Sequence, residues 1–297
     1  MKQTKTLTIT VLLAGVLLCS VLMAGCTGNS GIQTGVTEQT GSPAGMSGGD
    51  VLSITGSTTV LPIAAQAAEK YMDSHPDTDV QVNGGGTGAG VQAAGEGTAQ
   101  IGMASRDLKA EELEKYPDLV QHQIAIDGIA IITNPTNPVP SLTFEQIRKI
   151  YDGNITNWKD VGGKDAVIVV IGRDSASGTR EFFYTDVMEK TDFVKTQLEK
   201  NSNGAVKQTV VQTPDAIGYV GLGYLDEMVH AVPLSVDGTL VVPGIETVTS
   251  QAYPISRPLH LLTKGTPSGE AAAFLTFLKS PEGEKIITDE GFIPYSG

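Results

Sequence analysis

The 297-residue sequence is short of the residues on which most catalytic sites are built. It has two cysteines, Cys19 and Cys26. Cys19 lies inside an export leader, so the mature chain keeps one cysteine, forms no internal disulfide and takes its stability from burial. The four histidines, His75, His122, His230 and His260, are scattered. No His/Cys pair has the spacing of a metal site, and none of the histidines sits in a motif that would supply a serine nucleophile with its base. There is no Gly-Lys-Ser/Thr ending for a nucleoside-triphosphate loop. Positive charge is scarce too: 20 Lys and Arg stand against 33 Asp and Glu, a formal net charge of −13. So acidic a surface argues against nucleic acid or an anionic membrane face as partner. The reading is a non-enzyme without metal or cofactor.

Residues 1–25 read as a signal peptide. Lys2 and Lys5 form its basic start, Leu7 to Leu22 is almost wholly apolar, and Met23-Ala24-Gly25 precedes Cys26. The apolar run is too short and too abruptly ended for a membrane span. Small residues before a cysteine resemble a lipoprotein processing site, with Cys26 as the lipidated residue; Met23 stands where such sites usually carry leucine. The alternative is an ordinary cleaved signal. Removing residues 1–25, with two lysines and no acid, takes the formal charge from −13 to −15. Residues 26–49 are rich in Gly, Ser and Thr without apolar periodicity and read as a flexible tether. The remaining length of about 250 residues suits two α/β lobes. The expected division is 50–125 with 256–297 as lobe 1 and 126–255 as lobe 2.

Apolar spacing predicts a helix from Val60 to Ser74, with Leu61, Ala64, Ala65, Ala68, Tyr71 and Met72 on one face. Further helices are expected near Lys109–Tyr116, over Phe144–Tyr151, from Thr179 to about Glu189, and over Glu270–Lys279, the last packing on the first lobe. Gln123 to Ile132 reads as a buried strand interrupted by Asp127-Gly128, and Tyr253 to Thr263 as a return strand. Two crossings between the lobes would make a cleft, a common place for small-ligand sites.

What is present is a device used three times. A β-rich segment runs straight into a Gly/Ser/Thr turn that opens a helix at Gly56-Ser57-Thr58-Thr59, at Gly84-Gly85-Gly86-Thr87-Gly88 and at Gly172-Arg173-Asp174-Ser175-Ala176-Ser177-Gly178-Thr179-Arg180. Such a turn leaves the first helical N–H groups unpaired at the positive end of the dipole, and glycine lets the backbone approach a ligand. The pattern implies an oxyanion held by many neutral donors, with Arg173 adding a bidentate charged contact. A capped helix with Ser177 as N-cap is the plainer reading, but it leaves two Arg, a second Ser and a Thr within eight residues unexplained. The glycine-rich stretch at 84–90 superficially resembles a Gly-x-Gly-x-x-Gly fingerprint, yet its strand is short and polar and no partner acid follows, so a dinucleotide site is not supported. Ser105-Arg106-Asp107 and Asp127 complete the set. An aspartate between apolar runs is costly unless hydrogen-bonded, and beside a bound anion it is tolerated only if the anion has a proton to donate.

The chain resembles the phosphate-binding proteins of high-affinity phosphate ABC importers. The carriers are Gly56-Ser57-Thr58-Thr59-Val60-Leu61-Pro62, Gly85-Gly86-Thr87-Gly88-Ala89-Gly90, Ala104-Ser105-Arg106, Asp127-Gly128, Ile155-Thr156-Asn157-Trp158, Ser177-Gly178-Thr179-Arg180 and Asp215-Ala216-Ile217-Gly218-Tyr219-Val220. The resemblance implies a two-lobed, type II periplasmic-binding-protein fold closing over inorganic phosphate. It would place Ser57, Thr58, Thr59 and Thr87 at the first two helix starts, Ser105 and Arg106 beside them, and Arg173, Ser177, Gly178 and Thr179 on the other lobe. It also implies ABC permease subunits as partners and a monomeric receptor outside the cell membrane, anchored through Cys26. Well-known members carry an aspartate after Ala-Ser as acceptor of the phosphate proton; here that place holds Arg106. Either Asp127 or Asp107 takes over, or discrimination against sulfate is weaker. Competing readings are a receptor for sulfate or molybdate and a surface sensor or adhesion protein reusing the fold.

Overall fold

The computed structural model describes residues 50–295. The leader, the tether and the expected lipidation at Cys26 lie outside the described residues. In chain order the elements are β1 (Asp50–Gly56), α1 (Leu61–Ser74), β2 (Thr78–Gly84), α2 (Thr87–Glu96), β3 (Ile101–Ala104), α3 (Ala110–Lys115), β4 (Leu119–Thr133), α4 (Phe144–Tyr151), β5 (Val169–Arg173), α5 (Gly178–Phe182), β6 (Leu198–Lys200), α6 (Asn203–Gln212) and β7 (Ala216–Gly221). They continue with β8 (His230–Ala231), β9 (Leu234–Val236), β10 (Thr239–Val241), α7 (Ile245–Thr249), β11 (Ser256–Lys264), α8 (Gly269–Leu278), α9 (Pro281–Asp289) and β12 (Ile293–Pro294). The main sheet runs β2-β1-β3-β11-β4-β7-β5-β6. Its outer strands pair in parallel, β1 with β2 and β3, and β5 with β6 and β7. The two long central strands, β4 and β11, are antiparallel.

Two large hydrophobic cores flank this centre, and a third, smaller cluster gathers Val91, Ala94, Ala104, Leu108, Leu119 and Leu262. One of the large cores gathers Leu52, Ile54, Ala64, Tyr71, Leu259 and Phe274, so the helix expected near the C-terminus does pack with the first elements of the chain. The other gathers Ile131, Tyr151, Trp158, Ile171, Phe183 and Tyr219, where the Phe183 and Tyr219 rings stack at 4.2 Å. β4 contributes to both, through Ala125 and Ile131.

Several local expectations shift. The buried face of α1 is Ile63, Ala64, Ala67, Ala68 and Tyr71, turned so that Leu61, Ala65 and Met72 are only half-buried. β4 is continuous from Leu119 to Thr133, correcting the expected break at Asp127-Gly128. Its residues up to Gly128 pair with β11 and those from Ile129 onward with β7, so the Asp-Gly step marks a change of partner. Gly128 serves packing there, since a Cβ would lie 2.7 Å from a Val248 methyl. The long helix expected from Thr179 is the short α5 followed by a π-type turn over Phe183–Val187. Its widened i to i−5 bond runs from the Met188 N–H to the Phe183 carbonyl at 2.8 Å, as in the single π-type turns found within helices, and Phe183 and Val187 are both buried in the core. Beyond α8, Ser280 caps α9 through the Gly283 N–H, with Pro281 in the first turn where its missing N–H costs nothing.

Candidate functional site

The first two turns are held in place by backbone packing too tight for a side chain, at Gly56 and at Gly86. Gly56, at φ +136°, would put a Cβ 2.4 Å from the Met103 carbonyl oxygen and 2.8 Å from the Gly90 Cα. This closeness fixes the turn 57–60 against β3, where Ser57 N–H donates to the Met103 carbonyl at 2.9 Å. The start of α2 is set by Gly86, at φ +88°, and leaves Thr87 fully buried. Thr87 Oγ1 accepts the Ser105 N–H at 3.1 Å and lies 3.3 Å from Ser105 Oγ. At α5, Ser177 is the N-cap, its Oγ accepting the Arg180 N–H at 3.1 Å.

The turns face one another. Gly88 N–H donates to the Ala176 carbonyl at 3.0 Å. A Cβ on Gly178 would lie 2.3 Å from Thr87 Oγ1 and 2.8 Å from Ser105 Oγ. Thr59 Oγ1 lies 3.2 Å from Thr179 Oγ1. Thr58 Oγ1 accepts from an Arg173 terminal nitrogen at 3.3 Å, and the Thr58 carbonyl accepts from the Tyr224 hydroxyl. Ser57, Thr58, Thr59, Thr87, Ser105, Arg173, Ser177 and Thr179 are all buried. The hydroxyls and backbone of the first two turns thus meet Arg173, Gly178 and Thr179 across one seam.

The charges at this seam do not balance. Among the described residues the buried charged side chains other than histidine are Arg106, Arg173, Arg257 and one carboxylate, Asp127. Arg257 pairs with Asp127 Oδ2 through Nε at 3.1 Å and Nη2 at 2.9 Å. Arg173, 1 % exposed, has only neutral partners: Nε donates to the Lys200 carbonyl at 3.1 Å, Nη2 to the Asn201 carbonyl at 3.2 Å and to Thr58. Its Nη1 is buried without a partner. Burial presses the Arg173 guanidinium down from its ordinary pKa; Tyr219 and the neighbouring Asp174 pull against this, and the nearby Arg257 charge adds to it. A buried cation without a carboxylate is costly, and a guanidinium fork is suited to an oxyanion.

Two expected site residues are engaged elsewhere. Arg106 makes a bidentate pair with Glu112, 2.8 and 2.7 Å, and also donates to the Asp107 carbonyl at 2.8 Å. Asp127 Oδ1 accepts the Leu222 N–H at 3.0 Å while Oδ2 holds Arg257; burial pushes its carboxyl up against the pull of these donors. Asp107, the other candidate acceptor, bonds His260 at 2.9 Å with its side chain 73 % exposed. We therefore expect Arg106→Gln to change anion affinity by less than about threefold, because both terminal nitrogens of the guanidinium are already held by Glu112 and the Asp107 carbonyl. A tenfold loss in a calorimetric titration would place Arg106 on the ligand.

The sequence reading missed Asn203 and Arg257. Asn203 opens α6 and is fully buried; its Nδ2 donates to Thr58 Oγ1 at 3.1 Å and to Thr59 Oγ1 at 3.0 Å, and its Oδ1 accepts the Gly221 N–H at 3.3 Å. The signal for it was Ser202 as an N-cap. Arg257 was legible as a charge inside an apolar return strand, the same anomaly that singled out Asp127.

A curled mixed sheet with two cores and a cation-rich seam between its helix-opening turns defines a class: the two-lobed, type II periplasmic-binding-protein fold. The chain belongs to the PBP superfamily, whose domain model matches residues 33–282. It is 41% identical over 247 residues to the phosphate-binding protein PstS of Bacillus subtilis (strain 168), spanning 82% of this chain and 80% of that one. To the phosphate-binding protein PstS of Borreliella burgdorferi it is 33% identical over 255 residues, 82% of this chain and 89% of that one. Among solved structures it is similar to a putative phosphate ABC transporter substrate-binding protein with bound phosphate from Clostridium perfringens, with TM-score 0.78 and 39% identity over 83% of this chain and 100% of that one. An ABC-type phosphate transport receptor from Vibrio cholerae gives TM-score 0.67 and 36% identity over 83% of this chain and 100% of that one.

Proposed function

We propose that this chain is an extracytoplasmic receptor that binds inorganic phosphate between two lobes and delivers it unchanged to an ABC importer. The observation that carries this reading is the buried Arg173, hydrogen-bonded to no carboxylate and donating to the Thr58 hydroxyl of an opposite turn, with its Nη1 buried and without a partner. The names borne by the relatives supply the identity of the anion. The ligand set is Ser57, Thr58, Thr59, Thr87, Ser105, Arg173, Ser177, Gly178 and Thr179. Lobe 1 comprises 50–125 and 256–297, lobe 2 comprises 126–255, and β4 and β11 are the crossings about which they close. Cys26 carries the lipid, residues 26–49 give the receptor reach, and a monomer docks on the permease. No helix among the described residues is long and apolar enough to cross a membrane, and an N-terminal lipid would provide the attachment instead.

Calorimetric titration with phosphate, sulfate and molybdate tests the reading. Phosphate is expected to bind most tightly. Tighter binding of sulfate or molybdate would overturn it in favour of another oxyanion. One observation bears on the margin: Asp127 is already paired with Arg257 and the place after Ala104-Ser105 is an arginine. A pocket without a free acceptor rejects a fully deprotonated dianion less strongly, so the phosphate-to-sulfate preference should be modest and should not widen sharply with pH.

A further inference from the structure

We infer that Arg257 is a second cationic contact for the bound anion, with Asp127 as its positioning partner. The inference rests on the phosphate-receptor reading above and adds to it a residue outside the helix-opening turns. Arg257 and Asp127 face each other in the β4–β11 register, and both side chains are fully buried. A guanidinium has five N–H groups. Arg257 commits Nε and one Nη2 hydrogen to Asp127 Oδ2 and the other Nη2 hydrogen to Thr59 Oγ1 at 3.1 Å. That leaves Nη1 buried and without a partner.

Arg173 repeats this arrangement from the other side of the seam. Its Nε and Nη2 bond the Lys200 and Asn201 carbonyls and Thr58 Oγ1, and its Nη1 is likewise buried and unpartnered. The two forks therefore rest on consecutive threonines, and each leaves both Nη1 hydrogens unused. Thr58 and Thr59 tie them together through Asn203 Nδ2, which donates to both hydroxyls. A strand-to-strand ion pair of purely architectural purpose does not account for a buried Nη1 with nothing to donate to, since an unmet buried donor is penalised. A tetrahedral oxyanion has the acceptor oxygens that both forks lack. Asp127 acts through Arg257. It holds the Nε–Nη2 edge, is itself anchored by the Leu222 N–H, and so turns Nη1 away from the carboxylate.

Three variants of the mature chain, freed of bound phosphate, test this by titration with inorganic phosphate and with sulfate, alongside ligand-free thermal unfolding. Asp127→Asn keeps an amide oxygen that can accept from the Nε–Nη2 edge, which rests on a single oxygen. It leaves the Arg257 charge in place, so phosphate affinity should be retained or raised, with the phosphate-to-sulfate ratio unchanged. The double variant Asp127→Asn/Arg257→Gln removes both charges without stranding either one, and should bind phosphate at least about tenfold more weakly than Asp127→Asn, a conservative expectation for losing a buried charged contact. Arg257→Lys keeps the charge beside Asp127 but not the fork, and should lose about tenfold, as expected when a bidentate site receives a point charge. It decides the question should the double variant not fold. Equal phosphate affinity of the double variant and Asp127→Asn, or of Arg257→Lys and wild type, would overturn the inference. So would a fall in phosphate affinity with a gain in sulfate affinity for Asp127→Asn, which would make Asp127 the ligand's proton acceptor. Failure of the wild type to bind phosphate would instead overturn the receptor reading.

Discussion

Replacing Arg173 by alanine is expected to weaken phosphate binding by roughly thirtyfold to several thousandfold, the consequence of losing a buried charged contact worth about 2–5 kcal/mol. The size follows from the surroundings. Arg173 is 1 % exposed, and its partners are two carbonyls and a threonine hydroxyl. In the ligand-free protein its charge is desolvated without a counter-charge, so its removal should leave the thermal midpoint close to that of wild type. In the complex the same charge meets the anion in a water-poor seam where attraction is strong. Affinity and stability should therefore separate. Arg180, which packs over the Phe193 ring at 4.9 Å, should matter far less. Wild-type phosphate affinity in Arg173→Ala would remove the central residue of the proposed site.

Gly178→Ala is expected to act on closure. An added methyl would sit 2.3 Å from Thr87 Oγ1, 2.9 Å from Thr87 Cβ and 2.8 Å from Ser105 Oγ. Thr87 has little freedom to retreat, because its hydroxyl accepts the Ser105 N–H at 3.1 Å and the residue is fully buried. The seam must then stay apart by a few tenths of an ångström or more. Overpacking of this kind costs about 1–3 kcal/mol, which corresponds to roughly 5–150-fold in affinity. The contact lies between turns from opposite sides of the proposed cleft, so the ligand-free protein should unfold near the wild-type temperature. Gly204→Ala, where a Cβ meets nothing closer than 4.0 Å, is the matched control and should bind as wild type does. Full affinity in Gly178→Ala would mean that phosphate is held without this approach of the turns.

The meeting of the three turns at one seam was largely legible along the chain. Helix starts are written locally: a glycine that admits a close approach, a hydroxyl that caps, and an arginine beside them. Ser57, Thr87, Ser177, Gly178 and Thr179 meet at one seam for that reason. Less was legible where a residue's role depends on a partner elsewhere. Arg106 stands after the Ala-Ser segment where the resemblance called for an aspartate, and Glu112 at the start of α3 takes its fork with two bonds. Nothing in residue type alone says whether a guanidinium turns toward a ligand or a carboxylate. The helix expected after Thr179 had adequate periodicity, but its i to i−4 bonding gives way to a π-type turn over Phe183–Val187, a change that apolar spacing does not register because both periods keep residues four apart on one face.

Asp127 shows most clearly where reading by sequence ends. Its place in an apolar run announces that the carboxylate must be bonded, since an unmet charge there is unfavourable. The sequence by itself therefore determined that a buried aspartate had a partner, that three turns gather backbone donors, hydroxyls and an arginine at helix starts, and that no cysteine among the described residues is there to form a disulfide. The identity of the partner, Arg257, lies 130 residues away and follows only from the antiparallel register that sets Arg257 opposite Asp127 on β11 and β4. The tertiary structure likewise decided that Asn203 links Thr58 to Thr59 and that both arginines keep a buried Nη1 unpaired. Backbone preferences act over a few neighbouring residues and can be read along the chain. Charge pairing and the sharing of donors act through space, and strand register is what brings those distant groups into contact.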